Sequence, residues 1–323
     1  MRAIVAASTG GPDVLEYKDL SVPEPSIGEV RIKVLKASVH FADIKKRKGT
    51  KGSGIPGILG LDAVGIIDKV GQGVTGFREG ERVIAFVKEG SYAEYAIANA
   101  ILVYPIPDAV EAAVAAACPV PAFLSFMLLE RVGRLQKGET VLIHAASGGT
   151  GLTLIQLARK LGAGKIIGTV SATQKATLPL EHGADYCITY DNLSESVQNL
   201  TDGAGADLIL DSLAGTVMEE SFTCLAPYGR FVNYGNASGA AGSIKTSDVH
   251  ASCRSLLGYS LGTTRKERPE DLQHIADQVI SSVEMGDITF PSIQEFKLED
   301  ASKAHQLMES RIHAGKIILH ITD

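Results

Sequence analysis

The segment Gly138-Glu139-Thr140-Val141-Leu142-Ile143-His144-Ala145-Ala146-Ser147-Gly148-Gly149-Thr150-Gly151 admits few folds. Val141-Leu142-Ile143 reads as a short buried strand, the glycines as a tight turn, and Leu152 to Leu161 carries apolar residues at helical spacing. A strand that turns through small residues into a helix N-terminus is suited to a pyrophosphate. The backbone can approach the ligand closely, while free N–H groups and the helix dipole favour negative charge. Ser147, Gly148, Gly149, Thr150 and Gly151 are the residues that would form this cradle. Glycine triplets alone are weak evidence, so the surrounding chain has to carry the argument.

Strand-like runs recur at 140–144, 165–170, 186–190, 207–211 and 229–234, with helical stretches between them such as Gly151 to Leu161 and Gln174 to His182. Such alternation predicts a parallel sheet covered on both faces. Residues 1 to about 105 read differently. Short β-branched runs, including Glu29 to Lys36, Ala63 to Val70, Glu81 to Phe86 and Ser91 to Ile97, are separated by glycine turns and predict a barrel-like antiparallel domain. The C-terminal part predicts helices over Pro269–Met285 and Glu299–Ser310, a short strand near Phe296, and a last strand over Lys316–Thr322. A chain of 323 residues exceeds one comfortable core, so two domains are expected.

A net charge of −6 argues against a nucleic-acid binder. Cys118, Cys187, Cys224 and Cys253 are scattered, which suits neither a zinc knuckle nor a disulfide framework and points to a reducing, cytoplasmic setting. The N-terminus has no signal-peptide layout. Ala112 to Leu129 lacks charge, but it is alanine-rich and interrupted by Pro119 and Pro121, whereas a membrane span needs about twenty strongly apolar residues. Two core helices meeting at the prolines is the reading adopted, with no membrane partner.

The run from Gly138 to Gly151, continued by Gln156 and Arg159, resembles the quinone oxidoreductase/zeta-crystallin branch of the medium-chain dehydrogenases. The resemblance extends over essentially the whole chain. It implies an α/β protein with a β-rich, barrel-like (GroES-like) catalytic domain at residues 1–121. A doubly wound Rossmann domain would follow at 122–260, and 261–323 would return to the catalytic domain. It also implies a cofactor held in the cleft between the domains, and a homodimer formed by edge-to-edge joining of the Rossmann sheets.

An NAD site normally has Asp or Glu at the end of its second strand, accepting hydrogen bonds from the ribose 2′-OH. Here Lys165 to Val170 is followed by Ser171-Ala172-Thr173-Gln174-Lys175, without a carboxylate. Ser171 offers a hydroxyl and Lys175 an ammonium, which at about 4 Å attracts a 2′-phosphate by several kcal/mol before solvent losses. The family has a lysine at the position of Lys175, and Tyr190 and Arg311 match family positions that contact the adenosine phosphate. The cofactor expected is therefore NADPH. Ser212, Asn236, Ser238 and Leu261 lie in stretches resembling the family's nicotinamide-side loops, although Asn236 and Ser238 equally suit turn chemistry.

Zinc-dependent relatives carry a cysteine where His40 stands, and a histidine where Leu61 stands beside Asp62. Leucine cannot ligate, and a catalytic zinc needs about three protein ligands; no metal is expected. Without a Lewis acid, hydride donation to an already electron-poor acceptor is the easier chemistry. Quinone reductases of the family commonly have Asn and Tyr where His40 and Lys45 stand, and these departures fall where substrate is expected. A histidine or ammonium there could stabilise oxygen charge or donate a proton, so His40 and Lys45 are the catalytic candidates. Their plainer readings are a hydrogen-bonded core histidine and a solvated lysine. The basic cluster Lys45, Lys46, Arg47, Lys48 and Lys51 is read as a solvated face. Leu124 stands where the family has a threonine near the nicotinamide, leaving Ser125 as the adjacent hydroxyl.

The expectation is a zinc-independent NADPH:quinone oxidoreductase. Its alternatives are an NADPH-dependent reductase of α,β-unsaturated carbonyls (enones or enoyl thioesters) and a non-enzymatic NADPH-binding structural or regulatory protein.

Overall fold

The computed structural model describes residues 1–50 and 54–322. The chain divides into two units, one made of Met1–Val120 and Thr264–Asp323, the other of Pro121–Thr263.

The second unit is built on six parallel strands. In spatial order they are Tyr186–Ile188, Lys165–Thr169, Thr140–Ile143, Ala206–Asp211, Leu225–Asn233 and Ser255–Gly258. The first strand in sequence is thus central, with order reversing beside it. That reversal opens a crevice at the C-terminal ends of the strands, where ligands bind in doubly wound sheets. Leu142, Ile167, Ile209 and Phe231 pack in one cluster with Leu193, Val197 and Phe222 from the covering helices. Each such side chain contributes about 1.5–3 kcal/mol of burial. The sheet therefore holds the strand ends rigid while the loops above them stay free for chemistry.

Two local expectations are corrected. The helix read over Gln174–His182 is a 3-10 turn at Thr173–Lys175 followed by a short helix at Thr177–Glu181. Pro179 sits in the first turn of that helix, where its missing N–H costs nothing. The helix read over Pro269–Met285 is two helices, Pro269–Gln273 and Ala276–Glu284. Ser255–Gly258 forms the sixth strand, short and only half-buried.

The first unit is mainly antiparallel. Its larger sheet runs Ile293–Lys297, Lys316–His320, Glu29–Val39, Asp62–Val70, Arg82–Phe86 and Val103–Pro105, with Tyr95–Asn99 also pairing Glu29–Val39. The first two of these strands are parallel to each other. Glu29–Val39 is the organiser: Ile317 lies opposite Val39, and Ala63 opposite Ala37. The chain leaves this strand at His40, still extended (φ −119°, ψ 153°), and enters the helix Phe41–Arg47. Register therefore brings residue 40 between the beginnings of two neighbouring strands, at Asp62 and Lys316.

The uncharged stretch forms Ala112–Ala117 and Pro119–Phe126, continued by a wider-wound turn over Met127–Val132. The break falls at the first proline, as read. Among the described residues no helix is long and apolar enough to cross a membrane.

Candidate functional site

In the second unit the strand Thr140–Ile143 ends at His144, and the helix Gly149–Lys160 begins after an extended Gly148. Gly148 has no side chain with which to cap the helix, so the first-turn N–H groups face outward from a twelve-residue dipole. A Cβ on Gly151 would lie 2.4 Å from the Ala145 carbonyl oxygen and 2.7 Å from Ala146 Cα. Only glycine lets this helix pack so closely on its own turn.

Ala145 adopts a left-handed conformation (φ 52°), which costs an L-residue about 1–2 kcal/mol. Neighbouring groups hold it there. The Ala145 N–H donates to the Tyr190 hydroxyl (3.1 Å) and the Ala146 N–H to the Thr169 carbonyl (2.9 Å). Beneath it His144 is fully buried, with Nδ1 2.9 Å from the Thr169 hydroxyl and Nε2 2.8 Å from that of Ser221. Ser221 donates to the Val217 carbonyl, so Nε2 carries the hydrogen and the ring is neutral. Burial drives its pKa down to about 4, against the pull of Asp211.

At the end of the second strand Lys175 Nζ donates to Ser171 Oγ at 3.1 Å, with Ser171 exposed and Lys175 half-buried. The two groups singled out for a 2′-phosphate thus stand together. The Tyr190 hydroxyl accepts from the Ala145 N–H of the glycine turn. Asn236 Oδ1 accepts from the Gly239 N–H, and Ser238 Oγ from the Ala240 N–H, which are turn bonds. Ser212 follows Asp211, a buried carboxylate bound by the Leu213 and Ala214 N–H groups and by Asn233 Nδ2. Leu261 opens the helix Leu261–Glu267. Arg311 belongs to the other unit, as the left-handed C-cap of helix Ala301–Ser310. Leu124 and Ser125 are both buried in the helix Pro119–Phe126.

In the first unit His40 is buried, and its Nε2 lies 2.9 Å from Asp62 Oδ1. Asp62 also accepts from the Val120 N–H at 3.1 Å. Burial opposes ionisation of Asp62, yet His40 and Lys316 hold it below the usual carboxylate value. An ionised Asp62 is acceptor only, so His40 Nε2 is the donor. His40 also begins the next helix, where its N–H donates to Asp43 Oδ2 (2.8 Å) in a capping box. Lys316 is buried beside this pair and is pushed down to about 8 by desolvation, against Asp62, Asp43 and Cys118. Lys45 is half-buried in the following turn.

The basic cluster is only in part a solvated face. Arg47 is fully buried: its Nε donates to the Gly10 carbonyl, Nη1 to His305 Nδ1 and Nη2 to Glu309 Oε2. Seven residues into the helix, its side chain follows the face that carries Asp43 and Ile44 inward. Lys51 lies outside the described residues. No group of three or more His, Cys, Asp or Glu side chains among the described residues gathers as a metal site.

Sequence reading missed Asp43, Tyr92, His305 and Arg265. Asp43 was legible, being three residues beyond an N-cap. Arg265 donates to the Val87 carbonyl (2.8 Å) and lies 4.9 Å over the Phe86 ring, in the register row of Asp62. Nothing local to Tyr92, Arg265 or His305 points to residues 40–62.

A GroES-like antiparallel unit and a six-stranded doubly wound sheet with a glycine turn define a medium-chain dehydrogenase/reductase. Residues 26–108 match the alcohol dehydrogenase GroES-like domain, and 149–277 the zinc-binding dehydrogenase domain. The chain is 37% identical to a quinone oxidoreductase of Pseudomonas aeruginosa, covering 98% of this chain and 99% of that one. It is 33% identical to the quinone oxidoreductase of Rattus norvegicus, covering 99% and 97%. The crystal structure of Escherichia coli quinone oxidoreductase complexed with NADPH superposes with a TM-score of 0.93, at 30% identity, covering 99% of this chain and all of that one. Within the superfamily, this chain belongs to the quinone oxidoreductase family.

Proposed function

We propose that this chain is an NADPH-dependent quinone oxidoreductase. The observation that carries the cofactor is the Ser171–Lys175 pair, 3.1 Å apart at a strand end without a carboxylate. A paired hydroxyl and ammonium suit a phosphate and lack the carboxylate that usually holds a free 2′-OH. The glycine turn fits the pyrophosphate, because the helix opens on Gly149, Thr150 and Gly151, two of which carry no side chain, and their first-turn N–H groups lie at the positive end of the helix dipole. When bound, NADPH supplies a hydride. Ser147, Gly148, Gly149, Thr150, Gly151, Ser171 and Lys175 would hold it, with Ser212, Asn236, Ser238, Leu261 and Arg311 as further contacts and Tyr190 bracing the turn.

Quinone as acceptor follows the names of the relatives and the chemistry left to a site in which Leu61 cannot ligate. His40, with Nε2 committed to Asp62, presents a ring of fixed orientation and tautomer to the acceptor side. Lys45 adds positive charge one turn on. Charge on the acceptor oxygen would be met by the Lys45 ammonium and, when the Asp62-paired ring carries a second proton, by a hydrogen on His40 Nδ1, which is the work left to a protein in hydride transfer. Four free cysteines suit the cytoplasm. The half-exposed edge strand Ser255–Gly258 suits a homodimer joined there, to be tested by sedimentation of Leu256→Glu.

The test is an NADPH and NADH oxidation screen across quinones, enones and aldehydes, repeated with His40→Ala and Lys45→Ala. Quinones should be reduced fastest and with NADPH. Preference for a simple enone would replace the acceptor, and tight NADPH binding without turnover would replace the enzyme.

A further inference from the structure

Behind the His40–Asp62 pair the first unit contains a buried chain of hydrogen bonds that the proposed reaction does not use. Arg47 Nη1 lies 3.1 Å from His305 Nδ1, and His305 Nε2 lies 3.2 Å from the Tyr92 hydroxyl. That hydroxyl lies 3.2 Å from Asp43 Oδ2. Arg47, His305, Tyr92 and Asp43 are all buried, and the chain reaches the surface through Arg47 and Glu309 at 2.8 Å.

Its polarity has one solution. A guanidinium has only donors, so His305 Nδ1 accepts and the hydrogen of a neutral ring is on Nε2. His305 then donates to Tyr92, leaving the single Tyr92 proton for Asp43. Burial and then Arg47 drive the His305 pKa down to about 3, consistent with a ring that stays neutral. Asp43 is the element of consequence. One oxygen accepts from the His40 N–H (2.8 Å) and the other from the Gly60 N–H (3.1 Å). It therefore clamps together the two segments that carry His40 and Asp62. Gly60 cannot be replaced without disturbing this clamp, since a Cβ there would lie 2.1 Å from Ser91 Oγ.

We infer that Tyr92 and His305 are positioning residues for the reaction: through Asp43 they set the spacing of the His40–Asp62 pair. The inference rests on the reading that His40 contributes to quinone reduction. It gives Tyr92 an effect on turnover separable from its effect on stability.

A double-mutant cycle of Tyr92→Phe with His40→Ala tests this, using a benzoquinone and NADPH, with melting temperature and NADPH affinity recorded for each protein. Tyr92→Phe should lower kcat about tenfold with NADPH affinity within about twofold, since small misplacements of reacting groups are costly. In the His40→Ala background the same change should alter kcat by less than about twofold. An equal loss in both backgrounds would overturn the inference, as would full turnover of Tyr92→Phe when His40→Ala alone is impaired. Wild-type turnover in His40→Ala would instead strike down the underlying reading of His40, and the positioning role with it. Nitrogen-15 NMR of histidine in the wild-type protein needs no variant. His305 should show a protonated Nε2, a bare Nδ1 and no titration between pH 5 and 8, and the opposite tautomer would overturn the chain.

Discussion

The two regions that carry the proposed chemistry are built in opposite ways. The cofactor region of the second unit is local: the turn His144–Gly151 and the pair Ser171 and Lys175 lie within thirty-two residues, with Ser171 exposed and Lys175 half-buried. The His40 region of the first unit is assembled from residues 40, 43, 60–62, 92, 305 and 316, nearly all buried. One offers backbone and solvent-facing groups to a ligand; the other holds its candidate side chain in a polar core. Each is braced by a buried histidine, but differently. His144 rests between two hydroxyls, whereas His305 is tied to a charge. Local recognition tolerates exchange of one group, while a buried network transmits any loss along its length.

The sharpest break in the comparison should come at Gly151, where the local region depends on backbone packing. In Gly151→Val the new Cβ would meet the Ala145 carbonyl and Ala146 Cα, both backbone and unable to swing aside. A loss of about 3 kcal/mol is expected, as for other overpacked cores. NADPH binding should disappear with it. Thermal melting followed by a fluorescence titration checks both, and unchanged melting would show that the turn relaxes.

Next is the acid side of stability, which compares the two buried histidines. The folded-state pKa of His144 is lowered to about 4, below its ordinary 6.5, so unfolded chains take up the proton first. Its contribution is full above about pH 6.5 and is lost as pH falls toward 4, to an extent of about 3 kcal/mol. His305, lowered to about 3, has the same sign over a wider window. Urea unfolding from pH 7.5 to 4.5 should therefore show falling stability below 6.5. The dependence should be shallower in His144→Gln, and an unchanged slope would assign the acid sensitivity elsewhere.

Lys175→Glu then tests recognition alone. Charge reversal beside a 2′-phosphate should raise the KM for NADPH about a hundredfold and leave NADH nearly unchanged. Equal effects on both cofactors would mean that the strand end does not read the phosphate.

This contrast also explains what the sequence disclosed. The parallel sheet follows from the alternation of strand and helix, and the glycine turn from residue types within one unit. Ser171 and Lys175 meet because a strand end and four residues of spacing suffice to place them together. The Tyr190 hydroxyl faces the Ala145 N–H, a direction that depends on the left-handed Ala145 and carries no residue-type marker. Arg47 was misread for a related reason. Within Lys-Lys-Arg-Lys nothing distinguishes the one buried cation, whose partners His305 and Glu309 lie some 260 positions away. Asp62 could be seen beside Leu61, whereas its bond to His40 depends on the strand register between residues 37 and 63.

The smallest expected effect asks how far the Ser171–Lys175 pair acts as a unit. Ser171 Oγ accepts from Lys175 Nζ, so the hydroxyl both orients the ammonium and keeps its own hydrogen for a phosphate oxygen. Both groups are solvated, so the net worth of that hydrogen bond should be near the low end, about 0.5–1 kcal/mol. Ser171→Ala should then raise the KM for NADPH about threefold, with kcat and melting temperature unaltered. In a Lys175→Ala background the same substitution should matter less, because the hydroxyl has no ammonium left to aim. Full additivity would mean that the two side chains contact the phosphate independently, and that even the local region is a sum of separate contacts instead of a small network.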